Sequence, residues 1–223
     1  MTHAANLQDD GFQIYDLSVA QSILATIGEA AFSQGAAGKR CLLDLPEIRE
    51  ISLEICNTLI GAGLISANAV AIQAIAFDKT SAANWKVTWH QDVMFPFARP
   101  VTSDGFTLAC KKAGVDYARP PQEILEDLLA VRLHIDDCDD SNGPLRVAPG
   151  SHLHGVFKSK EIHGRVAQHG QMTCVATKGE ALLMKPLLLH ASSPAQQVRR
   201  RRVLHLVYHS GRSTPEPWHR AVS

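Results

Sequence analysis

From Leu64 onward the sequence breaks into short β-rich runs, each closed by residues that bend a chain. The runs are Ala69–Phe77, Trp85–Asp92, Leu129–Asp136, Leu145–Ala148, Met172–Thr177, Ala181–Leu189 and Arg202–His209. Between them stand Asp78-Lys79-Thr80, Asn142-Gly143-Pro144, Pro149-Gly150-Ser151 and Lys178-Gly179-Glu180, all of them turn chemistry. Many short strands with such punctuation fit two sheets closed on each other, a sandwich or jelly roll. Residues 1–66 have a helical period instead. Val19, Ile23, Leu24, Ile27 and Ala31 share one helical face, with Asp16 and Ser18 available as caps. A second helix is expected to open at Asp44-Leu45-Pro46-Glu47. Asp44 would cap it, Pro46 suits the first turn, and Glu47 sits where a capping box wants an acid. Ile48, Ile51, Ile55 and Leu59 supply its apolar stripe. The expectation is one mainly β domain over residues 1–223, with helical residues 1–66 packed outside a β core at 67–212. Residues 95–127 form a long irregular insertion with a short helix near Leu125.

Composition excludes several functions. Lys plus Arg equals Asp plus Glu, 22 each, so charge gives no case for nucleic acid or an anionic membrane. No run is long and apolar enough to span a bilayer, and the first ten residues lack the pattern of a secretory signal. Cys41, Cys56, Cys110, Cys138 and Cys174 are odd in number and scattered, which reads as reduced thiols in a cytoplasmic protein. A small molecule is the expected partner; oligomeric state is not legible.

Four features bear on chemistry. In Leu129–Asp136, apolar Leu129, Val131, Leu133 and Ile135 alternate with Ala130, Arg132, His134 and Asp136. Strand side chains alternate in direction, so the polar set faces either water or the inside of a barrel. In His90-Gln91-Asp92 an extended backbone projects the imidazole and the carboxylate to one side, as two adjacent ligands of a metal ion. A third ligand is available in His190, at the end of an apolar run, with His152 and His154 as a rival pair in a loop; His205 and His209 read as packing or solvent-facing residues. Finally, Arg199–Arg202 reads as a solvated turn, or as a strand start sending Arg201 and Arg202 to opposite faces. One of them could then grip a carboxylate inside the barrel, with Ser192 as a second donor. Just after the His90-Gln91-Asp92 motif, Met94, Phe95 and Phe97 suit either a pocket wall or the core. Lys111, Lys112 and Arg119 suit either an anionic substrate or solvent.

Taken together, His90-Gln91-Asp92, Asn142-Gly-Pro-Leu-Arg-Val-Ala-Pro-Gly-Ser-His152, and His190-Ala-Ser192 followed by Arg201 resemble the phytanoyl-CoA dioxygenase family. Phe77-Asp-Lys-Thr80 and Asn84-Trp-Lys-Val-Thr-Trp-His90 join the resemblance, which covers roughly residues 69 to 210. It implies a double-stranded β-helix (jelly roll, cupin-like) holding Fe(II) through His90, Asp92 and His190. It implies 2-oxoglutarate as co-substrate, its distal carboxylate on Arg201 and Ser192, and O2 as oxidant. Arg132 and Ile75 match positions near the co-substrate, and Arg202 replaces Arg201 if the register slips by one. Some relatives exchange the acid for a small residue and put a halide there; Asp92 therefore favours hydroxylation over halogenation. The insertion 95–127 becomes a substrate lid. The remaining alternatives are a metal enzyme that does not use 2-oxoglutarate and a non-catalytic small-molecule binder.

Overall fold

The computed structural model describes residues 5–32, 37–80, 84–197 and 199–223, so residues 1–4 of the leader reading lie outside it. In chain order the elements are β1 (Phe12–Asp16), α1 (Gln21–Ala31), β2 (Gly38–Lys39), α2 (Pro46–Gly61), β3 (Val70–Lys79), β4 (Val87–His90) and β5 (Phe95–Phe97). There follow β6 (Thr107–Lys112), β7 (Val115–Arg119), α3 (Gln122–Glu126), β8 (Leu128–His134), β9 (Leu145–Val147) and α4 (Ile162–His169). The chain ends with β10 (Met172–Cys174), β11 (Glu180–Met184), β12 (His190–Ser192) and β13 (Arg201–His209).

Period-two alternation builds the core. On β8 and β13, Leu129, Val131, Leu133, Leu204, Leu206 and Tyr208 pack in one cluster with Leu24 and Ile27 of α1 and Ile48, Ile51, Ile55 and Leu59 of α2. The helices thus cover the outer face of a six-stranded sheet ordered β1-β11-β8-β13-β3-β2. A four-stranded sheet, β10-β9-β12-β4, faces it, and all the pairings are antiparallel. This is the jelly roll expected, with a second apolar cluster between the sheets, including Phe12, Phe95, Phe97, Leu145, Val147, Leu182 and Val207. Every residue of β8 is buried, so its polar side faces the interior rather than water. Among the described residues no helix is long and apolar enough to cross a membrane.

Three local expectations need correction. Neither helix is capped by a side chain. Ala20 and Leu45 occupy the N-cap positions, Asp16 instead accepts from the Ser18 backbone, and Asp44 pairs with Arg220 at 2.6 Å. Pro46 does open α2. The run Ala181–Leu189 is not one strand: β11 stops at Met184, a turn follows, and His190 opens a strand of its own. Pro186 sits in that turn, where its missing N–H breaks no ladder. The insertion 95–127 is not irregular either. Strands β5, β7 and β6 form a third antiparallel sheet, followed by α3, which contains Leu125.

Candidate metal centre

His90 and His190 face each other across the β4–β12 pairing, in register, with ring centroids 4.2 Å apart. Asp92 follows just past the end of β4, its backbone N–H donating to the Pro186 carbonyl at 2.9 Å. Its two carboxylate oxygens lie 3.7 Å from His90 Nε2 and 3.6 Å from His190 Nε2. Such separations are too long for hydrogen bonds, so three donors converge without satisfying one another. All three ligand atoms lie within 4.8 Å of each other, and among the described residues no other trio of His, Cys, Asp or Glu does so. Both imidazoles are oriented from behind: His90 Nδ1 meets the Thr88 carbonyl at 2.8 Å and His190 Nδ1 the Leu188 carbonyl at 2.9 Å. An Nδ1–H donated to a carbonyl leaves Nε2 as a free lone pair, the tautomer a metal needs. Burial would raise the Asp92 pKa, but the neighbouring His190, His205, His90 and Arg132 together hold it below the ordinary carboxylate value. Burial outweighs Asp92 at His190 and keeps its pKa below normal, hence neutral. Two imidazoles with Nε2 turned to the site and one carboxylate, partly open to solvent, suit a divalent ion with free positions.

A cavity of about 110 Å³ adjoins these ligands, walled by Phe77, Trp85, Val87 and Leu145 and reached by Arg132, Ser192 and Arg201. The arginine run explains itself here. Arg199, Arg200 and Arg202 pair with Asp139, Asp78 and Asp136, whereas Arg201 turns inward, is 6% exposed and among the described residues meets only the Cys138 thiol, at 3.7 Å. Its Nε has no hydrogen-bond partner among the described residues. Arg132 enters the same space, 5.3 Å over the Phe77 ring and 3.4 Å from His205 Nδ1. Burial, then the Arg201 charge, lowers Arg132 to about 10, and burial and Arg132 hold His205 down to about 3. Two desolvated guanidiniums that pair with no carboxylate among the described residues are costly, and a bound dianion would offset that cost.

The other expected residues lie elsewhere. Ile75 is buried beside His205 in the strand register but does not line the cavity. His152 binds the Gln8 carbonyl, His154 lies against the His169 ring, and His209 packs between Asp127 and Trp218. Phe95 and Phe97 are core residues. Lys111 pairs with Asp116, Lys112 lies over Tyr117, and Arg119 donates to Thr107 Oγ1. Two residues went unnoticed in the sequence. Lys79 is fully buried and donates to the Ser193 carbonyl at 2.8 Å, next to Ser192. Gly143 lets that loop approach, because a Cβ there would sit 2.7 Å from the same carbonyl oxygen. The other is Gln91. Its signal was available: if His90 and Asp92 face one way, the residue between them must face the other.

A family profile described as Phytanoyl-CoA dioxygenase (PhyH) matches residues 53–203. The L-proline trans-4-hydroxylase of Streptomyces griseoviridis is 27% identical over a stretch covering 40% of this chain and 43% of that enzyme. The chain thus spans less than half of that relative. Among solved structures, the apoform of EctD from S. alaskensis superposes with a TM-score of 0.63 at 17% identity, over 98% of this chain and 82% of that one. HygX from Streptomyces hygroscopicus, with nickel and 2-oxoglutarate bound, gives 0.60 at 13% identity, over 91% and 84%. At these identities the two structures speak to the fold.

Proposed function

This chain belongs to the phytanoyl-CoA dioxygenase family, and from that premise we propose that it is an iron(II)- and 2-oxoglutarate-dependent dioxygenase that hydroxylates a small organic molecule. The observation that carries the reading is Arg201, a buried guanidinium that pairs with no carboxylate among the described residues, in one cavity with the His90, Asp92 and His190 donors. His90, Asp92 and His190 would hold the metal. Arg201, with Ser192 beside it, would bind the distal carboxylate of 2-oxoglutarate in a charge-assisted pair. When bound, iron and 2-oxoglutarate supply the oxidising chemistry: O2 is consumed, C–H becomes C–OH, and succinate and CO2 leave. Thr88 and Leu188 keep Nε2 of each histidine unprotonated, Arg132 adds positive charge on the metal side, and Phe77, Trp85, Val87 and Leu145 exclude water. Ile75 serves as an apolar wall behind His205. Asp92 occupies the position a halide would need, which supports hydroxylation over halogenation. The relative's substrate, L-proline, supports a small polar molecule as substrate. A lid role for the insertion would fall to the β6–β7 hairpin, since β5 is fixed in the core and β6 is almost wholly exposed, though no residue of 95–127 lines the cavity. Five free thiols support a cytoplasmic location.

The test is an anaerobic titration of metal-free protein with iron(II) and 2-oxoglutarate, watching for the visible charge-transfer band of the chelate. A band that weakens in Arg201→Met carries the proposal forward and opens a substrate screen by succinate release. Iron binding without a band means a metal enzyme that does not use 2-oxoglutarate, and no iron binding means a non-catalytic binder.

A further inference from the structure

Three consecutive carbonyls in the turn between β11 and β12 each hold a different part of the metal site. Pro186 O accepts from the Asp92 backbone at 2.9 Å. Leu187 O accepts from Gln91 Nε2 at 2.7 Å. Leu188 O meets His190 Nδ1 at 2.9 Å. Gln91 is the side-chain member of this comb and reaches further. The same Nε2 donates to Gly155 O at 2.8 Å, and its Oε1 accepts from the Phe157 backbone at 2.8 Å. Gln91 is 9% exposed, so both amide hydrogens and the carbonyl are used where water is scarce. Its side chain therefore joins three segments: the one bearing His90 and Asp92, the turn leading to His190, and the loop at 155–157.

Resting on the metal-centre reading above, we infer that Gln91 is a positioning residue: it sets the His90–Asp92 pair against His190 so that the three donors meet. Only an amide fits the polarity. A carboxylate of the same shape would keep the bond from Phe157 but turn an oxygen toward two carbonyls. A thioether of the same length would fill the space and lose all three bonds. Partners that orient metal ligands typically change affinity by about 10- to 100-fold when removed.

The experiment uses Gln91→Met and Gln91→Glu beside the parent, with cobalt(II) alone as probe. Affinity and the visible d–d spectrum are read without 2-oxoglutarate, and chemical unfolding of each metal-free protein is followed by tryptophan fluorescence. The expected result is cobalt binding weakened about 10- to 100-fold in both variants, with a changed d–d spectrum in proteins that still unfold cooperatively. If Gln91→Met does not fold, Gln91→Glu carries the test, since it preserves shape. Parent-like affinity and spectrum in the folded variants overturn the inference, as does lost stability with unchanged cobalt affinity. A parent that binds no cobalt fails differently: it sinks the metal centre itself, and this inference with it.

Discussion

The two faces of the six-stranded sheet are made from alternate residues of the same strands, yet they obey opposite economies of contact. On β13, Leu204, Leu206 and Tyr208 look out at α1 and α2, while Arg201 and His205 look in. On β8 the same split separates Val131 and Leu133 from Arg132 and His134. The outer face gains free energy from non-directional burial, so its residues matter by size and shape. The inner face holds groups that lose hydration. Burial, with the charges of Arg132 and Arg201, pushes His134 down to about 3. The inner face costs stability and the outer face offsets it, and this is how a domain can keep two guanidiniums and two neutral histidines inside a jelly roll.

That division can be broken by experiment. The largest effect is expected at Asp92→Ala, which removes one of three donors. Metal binding and turnover should vanish, while metal-free stability falls by about 1 kcal/mol or less, since the Asp92 carboxylate is partly exposed and stands 3.6 to 3.7 Å from its imidazole neighbours. A urea midpoint that collapses along with activity would show that the inner face is also structural. Next comes Leu204→Ala, on the outer face of the neighbouring register. A buried leucine truncated in a close-packed core costs about 2–5 kcal/mol, read from the shift of the urea midpoint at constant slope. Metal affinity of the remaining folded protein should equal the parent's. If it does not, the faces are coupled.

The same division decides what the sequence could reveal. His90 and Asp92 were legible because period two is a property of any extended backbone, and the β8 alternation was legible although its direction was not. Only the packing of α1 and α2 on the outer side settles that the polar face is inside. The break before the strand bearing His190 is hidden by an apolar run on both sides of it, and Pro186 is the residue that argues against a continuous central strand. Strands β5–β7 were missed for two reasons. Pro96 interrupts Phe95–Phe97, which is an edge strand where proline is tolerated. Thr107–Lys112 is exposed almost throughout, so it has no apolar side to alternate. The absent side-chain caps were invisible for another reason: Asp44 is drawn to Arg220, 176 residues away. Long-range pairing of this kind leaves no local signature. Arg201 and Arg202 lay between these cases, since opposite faces were certain and the inward one was not.

These two arginines sharpen the comparison most, because they are adjacent and differ only in the face they take. Arg201→Met should leave stability near the parent's and weaken 2-oxoglutarate by about 2–5 kcal/mol, roughly 30-fold to several thousand-fold, the usual loss when one partner of a buried charged pair is removed. An apparent KM for 2-oxoglutarate against kcat measures it. Arg202→Met should leave that KM unchanged. It loses a two-pronged pair with Asp136, at 2.9 and 2.7 Å, and a stability of about 1 kcal/mol. The pH dependence identifies the pair. Burial would raise the Asp136 pKa, but hydrogen bonds and charge from Arg202 hold it below normal. A depressed carboxylate stabilises the fold above its unfolded pKa, about 3.9, and that contribution is lost as pH falls through the folded value. The gap between parent and Arg202→Met should therefore be constant from about pH 7 to 5 and close below about pH 4. A gap that persists at acid pH would mean that Arg202 works through its guanidinium lying over Phe32 and beside Gly28, rather than through its pair with Asp136.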